Sequence, residues 1–538
     1  MQHAQQSFIK GVAILSLAAF LSKLLGAVYR VPYQNITGDS GMFVYGTIYP
    51  LYSAILIIAT AGFPVAISKL VSERLAQGNK QEAERIFEIA LLMMGFIGGT
   101  LFFSTFIGAP TIASWMGSKA LLTIPIQAVS FSFLVIPIIS AVRGYFQGYQ
   151  NMIPTAVSQV VEQLVRVTII LLAAWVCMTH GFGVVYAGAG AMMGAFGGGL
   201  VALLVLYAYW SREKMILKQS DLMPMQKVKN RRILYAIFKI ALPISLGSLV
   251  IPFYALVDSF TIINTLTHTG WMMEEVIQIK GIYDRGQPLL QFASFFATAI
   301  ALSIVPAIAS TLAHNQTYQS QAKGILALRL TLLFGFPASI GLAVVMEPIN
   351  IMLFKDSAGS SALAILALTT IFSTLGITST AILQGLGFVT RPVWNLMIGV
   401  FFKVGLNLLL IPVWGIHGAA VASICGYAIA IWLNLRILRR NFAISLPIQI
   451  WLKNSIAVAV MAISVYSVSL LLQMITRNIG FIRLEMTIVV LGCVVIGSFV
   501  YLLAVVRIGL LTRIDFEKIP KLKEKILPFL DKWGMISK

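Results

Sequence analysis

The residues of this 538-residue chain that could do chemistry are charges set inside apolar runs. Lys23 and Arg30 stand seven residues apart in the first such run, which puts them on one face of a helix. Glu162 and Arg166 are four apart, the spacing at which an ion pair closes within one helix. Asp258, Asp284, Arg285 and Lys403 lie in later apolar segments. A charge at bilayer depth costs about 2.5–3.5 kcal/mol or more, so each needs a reason. For Glu162 and Arg166 the plain reason is mutual neutralisation, the sharper one a place in a binding cleft. For Lys23, Arg30 and Arg285, with few acids nearby, the reading is a ligand. Asp258 has no sequence-local cation and reads either as partner to an arginine of another helix or as a coupling site for Na+ or H+. Five deep cations against three deep acids make the interior net positive. Such a cavity suits an anion, above all a diphosphate, which arginine clasps bidentately and lysine meets as a point charge.

Enzyme chemistry finds little support. The five histidines fall at helix ends or in loops without zinc-ligand spacing, and there is no P-loop, nucleotide-binding glycine fingerprint or nucleophile elbow. Cys177, Cys425 and Cys493 are too few and scattered for a disulfide framework or a metal site. No catalytic residue, metal or cofactor is therefore assigned. Lys69, Arg143, Lys239, Arg329 and Lys453 lie toward cytoplasmic helix ends, where a long side chain can snorkel.

The elements that must position these charges are membrane helices. The chain is 58% hydrophobic and 11% charged, with a mean hydropathy of +0.89, against about 25% charged residues in soluble domains. Apolar runs of roughly 20 residues recur, long enough to cross ~30 Å of hydrocarbon as helices. They are continuous rather than alternating, which implies helices rather than a barrel. Six spans fall at 10–34, 43–72, 84–108, 120–147, 154–178 and 183–210, and six more at 233–265, 282–312, 323–352, 361–388, 392–412 and 416–440. Two follow, at 450–474 and 484–511. The first reads as a membrane helix rather than a cleaved signal, being long and interrupted by Lys23 and Arg30.

Fourteen spans put both termini on one side. Connections on that side hold 24 Lys and Arg, against 5 on the other, so the positive-inside rule makes both termini cytoplasmic. The net charge of +20 then faces anionic lipid head groups rather than nucleic acid.

An internal repeat organises the spans. Tyr45 and Pro50-Leu51 recur as Tyr283 and Pro288-Leu289, displaced by 238. Gln147-Gly148 recurs as Gln384-Gly385, and Arg166 as Lys403, each displaced by 237. Pro154 recurs as Pro392, and Gly183 has a looser echo in Gly415. The expected architecture is an all-α polytopic membrane protein. It has two homologous six-helix lobes, 1–210 and 233–440, around a central cleft. A basic cytoplasmic linker, 211–232, joins them; two C-terminal helices occupy 441–511, and a basic cytoplasmic tail 512–538.

Particular runs resemble a known family. Tyr49-Pro-Leu-Tyr52, the Ala61–Glu73 stretch, Gly281-Ile-Tyr-Asp-Arg-Gly-Gln-Pro-Leu289 and Gly415-Ile-His-Gly-Ala-Ala420 resemble the polysaccharide-transport family of the multidrug/oligosaccharidyl-lipid/polysaccharide exporter superfamily. This family includes the stage V sporulation protein B group and MurJ-type lipid II flippases of Gram-positive bacteria. The resemblance covers nearly the whole chain. It implies a flippase in the bacterial cell membrane that moves a lipid-linked peptidoglycan precursor, lipid II, to the outer leaflet by alternating access. It also implies arginines in the cavity that hold the diphosphate, with Lys23 in Ser22-Lys-Leu-Leu-Gly26 at one such position and Arg285 in Tyr283-Asp-Arg285 at another. The family's next helix 1 arginine falls on Tyr29, with Arg30 one position on. Helices 13 and 14 resemble those of a groove for the prenyl tail.

The expected partners are lipid II, anionic membrane lipids and a coupling Na+ or H+, with the protein a monomer. The alternatives are a flippase for a teichoic, capsular or spore polymer precursor, a cation-coupled drug exporter, and a membrane glycan polymerase. The net-positive interior argues against the exporter. The longest outer loop, 266–281, carries only Glu274 and Glu275, which argues against the polymerase.

Overall fold

The computed structural model describes residues 2–217, 230–477 and 480–510. The sequence-read tail 512–538 lies outside them, as does most of the basic linker. The described residues form eighteen helices and no strand. In chain order the first eight are α1 Gln2–Val28, α2 Arg30–Thr60, α3 Phe63–Ala76, α4 Lys80–Trp115, α5 Lys119–Ser130, α6 Ser132–Gly148, α7 Ile153–Thr179 and α8 Gly183–Leu217. Next come α9 Asn230–Ser248, α10 Val250–His268, α11 Met273–Asp284, α12 Gly286–Ala313 and α13 Thr317–Val344. The last five are α14 Met346–Phe354, α15 Ser360–Gly385, α16 Thr390–Phe442, α17 Ile448–Thr476 and α18 Ile482–Arg507. Among the described residues, eleven helical stretches are long and apolar enough to cross a membrane, so this is a multi-pass membrane protein.

Several helices match the sequence-read spans within a few residues: 154–178 against α7, 361–388 against α15 and 450–474 against α17. Others are interrupted, and the interruptions have local causes. The span 43–72 breaks at Ala61-Gly62. There the Gly62 N–H donates to Ser245 Oγ at 3.1 Å, and a Cβ on Gly62 would collide with the Ala241 backbone. The segment 266–281, expected as a loop, is helical from Met273 and continues almost without pause into α12. Asn79 caps α4 by accepting the Glu82 N–H at 3.0 Å, while the Glu82 side chain accepts from Asn79 Nδ2 at 3.0 Å. This reciprocal box satisfies amide hydrogens that a bare helix start leaves unpaired.

The chain divides into two compact units. One is Met1–Pro288 with Asn407–Pro412, and the other is Leu289–Leu406 with the residues from Val413 onward. In the first, Phe63, Ile67, Ile86, Met94, Phe146 and Ile237 belong to one buried core. In the second, Ile308, Leu328, Leu332, Ile382, Leu438 and Ile444 form the corresponding apolar centre.

The sequence repeat has a counterpart in the backbone. Helix α3 ends with Gly78 in a left-handed conformation, its N–H bonded to Leu75 O and that of Asn79 to Arg74 O. Displaced by 237, Asn315 is also left-handed, its N–H bonded to Leu312 O and that of Gln316 to Thr311 O. The ends of α6 and α15 match in the same way, with left-handed Gln150 and Gly387. Gly117 and Lys355, 238 apart, are both left-handed as well. Three pairs of helix ends thus stop on a left-handed residue at the interval read from the side chains, two of the pairs with the same hydrogen bonds.

Candidate functional site

The functional side chains of the first unit gather on α2, α7, α10 and α11. Helix α2 kinks at Gly38, whose φ of 68° and ψ of −170° leave the helical region at low cost only for glycine. The kink sets Asp39 against α11. Arg285 donates to it from Nε to Oδ1 at 2.7 Å and from Nη2 to Oδ2 at 2.5 Å. Gln34 Nε2 adds a third bond to Oδ1 at 3.0 Å. Arg285 is completely buried. Beside it, Lys280 Nζ donates to both carboxylate oxygens of Asp284 at 2.5 and 2.6 Å, with both residues buried.

The approach of α2 to α11 needs glycine on each side. A Cβ on Gly46 would sit 2.5 Å from Asp284 Oδ2, and one on Gly281 would collide with the Asp39 carbonyl. Arg285 and Asp284, read from the sequence as cleft charges, are therefore each neutralised by a carboxylate or ammonium. Lys280, counted as an outer-loop cation, is buried. Neither Asp39 nor Lys280 was among the sequence candidates, although the i,i+4 spacing of Lys280 and Asp284 could have found Lys280.

Glu162 also takes a different partner. Its Oε2 accepts from Arg143 Nη2 at 2.8 Å, and Arg143 Nε donates to Ser158 Oγ at 3.0 Å. Arg143 is thus engaged inside the bundle rather than snorkelling, and the expected Glu162–Arg166 pair is absent. Arg166 turns to Tyr52, donating to its hydroxyl at 3.3 Å with the guanidinium carbon 5.0 Å from the ring centre.

Tyr52 is one rung of an aromatic ladder. Tyr45, Tyr49 and Tyr52 follow one face of α2 at i, i+4 and i+7, with ring centres 5.7 and 6.1 Å apart. Tyr29 and Tyr33 pack on Tyr45 at 5.9 and 5.2 Å, and the Tyr29 and Tyr45 hydroxyls hydrogen-bond each other. The guanidinium of Arg30 lies over Tyr49, 4.4 Å from the ring centre. Arg30 and Arg166 therefore sit on neighbouring rungs.

These two arginines differ from every other interior cation of the unit. Arg30 is buried, and its Nε and Nη2 have no hydrogen-bond partner; Arg166 Nε has none either. Among the described residues neither arginine makes an ion pair. A tyrosine face attracts a cation electrostatically but leaves the in-plane N–H groups free to donate. The arrangement is a positively charged, aromatic-walled site with guanidinium donors left over.

The remaining candidates are placed as follows. Asp258 is buried on α10, accepting from Tyr283 Oη at 3.2 Å and Asn407 Nδ2 at 3.1 Å. Asn407 also donates to Thr261 Oγ1 at 2.7 Å, and its own Oδ1 is buried without a partner. Asp258 is thus tied into a polar cluster with Tyr283, Asn407 and Thr261. Lys23 is exposed on α1, whereas Arg30 and Arg285 are buried. Lys403 is buried in the second unit. Of the three residues read as a clamp, Arg285 is engaged by Asp39 and Lys23 is exposed, while Arg30 shares its aromatic ladder with Arg166.

Comparison with known proteins gives this geometry a context. Residues 8–312 match the family model described as polysaccharide biosynthesis protein. The chain is 35% identical over 517 residues to the uncharacterized membrane protein YabM of Bacillus subtilis, covering 95% of this chain and 94% of that one. It is 31% identical over 542 residues to the lipid II flippase MurJ of the same organism, covering 95% and 97%. Among solved structures, lipid II flippase MurJ in an inward closed conformation matches with a TM-score of 0.65 at 16% identity, covering 91% of this chain and 98% of that one. The fold is therefore that of the MurJ-type transporters.

Proposed function

Because the chain belongs to the polysaccharide biosynthesis protein family, we propose that it is a flippase carrying a polyprenyl-diphosphate-linked saccharide, lipid II above all, from the cytoplasmic to the outer leaflet. The observation that carries this reading is the pair Arg30 and Arg166, held over Tyr49 and Tyr52 with guanidinium nitrogens unpaired. A diphosphate supplies the acceptors these donors lack, and charge-assisted bonds to it are the strong kind. Arg285 contributes by fixing α11 to α2 through Asp39 rather than by touching substrate. Asp258, with the oxygens of Asn407, Thr261 and Tyr283, is the place for a coupling Na+ or H+.

The cycle is alternating access between two six-helix lobes, with the head group entering from the cytoplasm. An inside-negative potential assists outward movement of an anionic head group by ~2.3 kcal/mol per charge per 100 mV.

The topology consistent with this cycle has fourteen crossings and both termini in the cytoplasm. Of the eleven apolar stretches, Ile14–Ala76 and Thr390–Phe442 run 63 and 53 residues, more than twice the roughly 20 needed. Each contains a non-helical glycine, Gly38 or Gly415, at which the chain can turn back. Counting each as two, and α9 with α10 as one more, gives fourteen. The Lys and Arg asymmetry sets the orientation.

A second reading keeps the machinery and changes the sugar. The identity to YabM exceeds that to the lipid II flippase, and Arg30 and Arg166 address the diphosphate shared by all such carriers. The test is expression in a cell depleted of its own lipid II flippase, with outer-leaflet lipid II measured directly. Restored growth and restored outer-leaflet lipid II are expected. An abundant, correctly inserted protein that restores neither would assign the chain to another lipid-linked glycan.

A further inference from the structure

The second unit contains a cavity of about 990 Å³ at the C-terminal end of α16, where the chain turns into α17. The turn is made by Ala443 in a left-handed conformation, with the Ile444 N–H bonded to Leu438 O and Pro447 preceding α17. One wall carries Arg436, Arg439 and Arg440, all exposed. Trp432 and Trp451 flank them, and the Arg436 guanidinium lies 5.3 Å from the Trp432 ring centre. The floor is apolar, formed by Leu328, Leu375 and Leu435.

Three features select the occupant. No lining residue is acidic, and among the described residues the three arginines make no ion pair. They therefore present uncompensated charge and many donors to one mouth. The pocket lies at the end of a membrane-crossing helix and combines tryptophan with arginine, the pairing found where hydrocarbon meets head groups. The floor below the arginines is hydrocarbon-like, so an anion with an apolar tail satisfies both halves while free phosphate satisfies one. Basic pockets between helices on the cytoplasmic side are suited to anionic phospholipid head groups. The volume falls within the ~300–1,000 Å³ of well-formed ligand sites.

We propose that this pocket is a binding site for an anionic glycerophospholipid. Its phosphate is held by Arg436, Arg439 and Arg440 and one acyl chain lies on Leu328, Leu375 and Leu435. The lipid fills the angle between α16 and α17 and wedges α17 in place. The site lies wholly within the second unit and is independent of what the protein transports.

The test is native mass spectrometry of the full-length protein in detergent, titrated with phosphatidylglycerol or phosphatidylcholine. Wild type retains phosphatidylglycerol at least tenfold more tightly than phosphatidylcholine. The triple change Arg436→Gln, Arg439→Gln, Arg440→Gln removes that preference without altering phosphatidylcholine adducts. Equal retention of the two lipids by wild type, or an unchanged preference in the triple variant, overturns the proposal. So does displacement by inorganic phosphate, which would mark a free-anion site. Displacement by undecaprenyl diphosphate would mark a substrate site and equally overturn it. If the triple variant fails to insert, wild-type protein is labelled with a photoactivatable phosphatidylglycerol. Adducts within residues 432–451 support the site, and their absence there overturns it.

Discussion

Arg285 and Asp39 form a two-pronged ion pair across 246 residues of sequence, with Nε to Oδ1 at 2.7 Å and Nη2 to Oδ2 at 2.5 Å. This geometry makes Arg285 a clamp between α11 and the kink of α2. Breaking a buried pair by removing one partner costs about 3–5 kcal/mol, whereas removing both costs far less. Asp39→Asn or Arg285→Gln alone should therefore lower the melting temperature of the purified protein sharply, and the double variant should recover most of the loss. Thermal unfolding in detergent reads this directly. A single variant that melts with wild type would return Arg285 to the pool of ligand residues.

That pair also shows where sequence reading stops. The positions of charges in apolar runs were legible, and so was the 237–238 repeat, which reappears as matched left-handed turns at Gly78 and Asn315 and at Gln150 and Gly387. These are local features written in turn chemistry and periodicity. Partner choice was not legible. Glu162 has Arg166 four residues on, yet it bonds Arg143 across two helices, because helix packing decides which of two reachable arginines faces it. Asp39, beside a glycine kink, carried no signal of burial. The ladder of Tyr45, Tyr49 and Tyr52 was not read as one feature, since Tyr45 stood out only as a repeat position and Tyr49 and Tyr52 only as a family run; it emerges with the guanidinium groups stacked on it.

The Arg143–Glu162 contact yields a double-mutant cycle. Coupled neighbours show interaction energies of about 0.5–3 kcal/mol, and uncoupled residues show nearly none. Glu162→Gln and Arg143→Gln should be coupled in thermal stability. Glu162→Gln and Arg166→Gln should be additive. Coupling only in the second pair would mean that the in-helix bond forms after all.

Gly46 tests the contact between α2 and α11. An added methyl there meets Asp284 Oδ2, Cγ and Cβ at 2.5, 2.7 and 2.8 Å. Overpacking of this kind costs typically about 1–3 kcal/mol. Gly46→Ala should lower thermal stability by that order, while Gly95→Ala, with open space around it, should not. Equal melting of the two variants would rule out the tight approach.

Topology is checked by accessibility. If both termini are cytoplasmic, as proposed, single cysteines replacing Ser220 or Leu530 should react with an impermeant maleimide only in opened cells. Cysteines replacing Met272 or Asn478 should react in intact cells. Reaction at position 220 in intact cells would defeat the fourteen-crossing arrangement.

The decisive prediction concerns Arg30 and Arg166. Each offers a charged group with an unpaired nitrogen beside a tyrosine face. Charge-assisted bonds to a diphosphate contribute about 1.5–3 kcal/mol each, so Arg30→Ala or Arg166→Ala should weaken lipid II binding roughly 10- to 150-fold. Neither change leaves a buried carboxylate unpaired, so both variants should melt close to wild type, in contrast to Arg285→Gln. Arg30→Lys should recover only part of the binding, because an ammonium cannot present the guanidinium's parallel donors. Lys23, exposed on α1, should matter less, with Lys23→Ala losing several-fold at most. The measurements are lipid II binding to purified variants, melting temperature, and growth of a flippase-depleted cell. If Arg30→Ala and Arg166→Ala bind and grow like wild type, the diphosphate is not held on the tyrosine ladder. If they instead melt like Arg285→Gln, their role is to hold the first unit together.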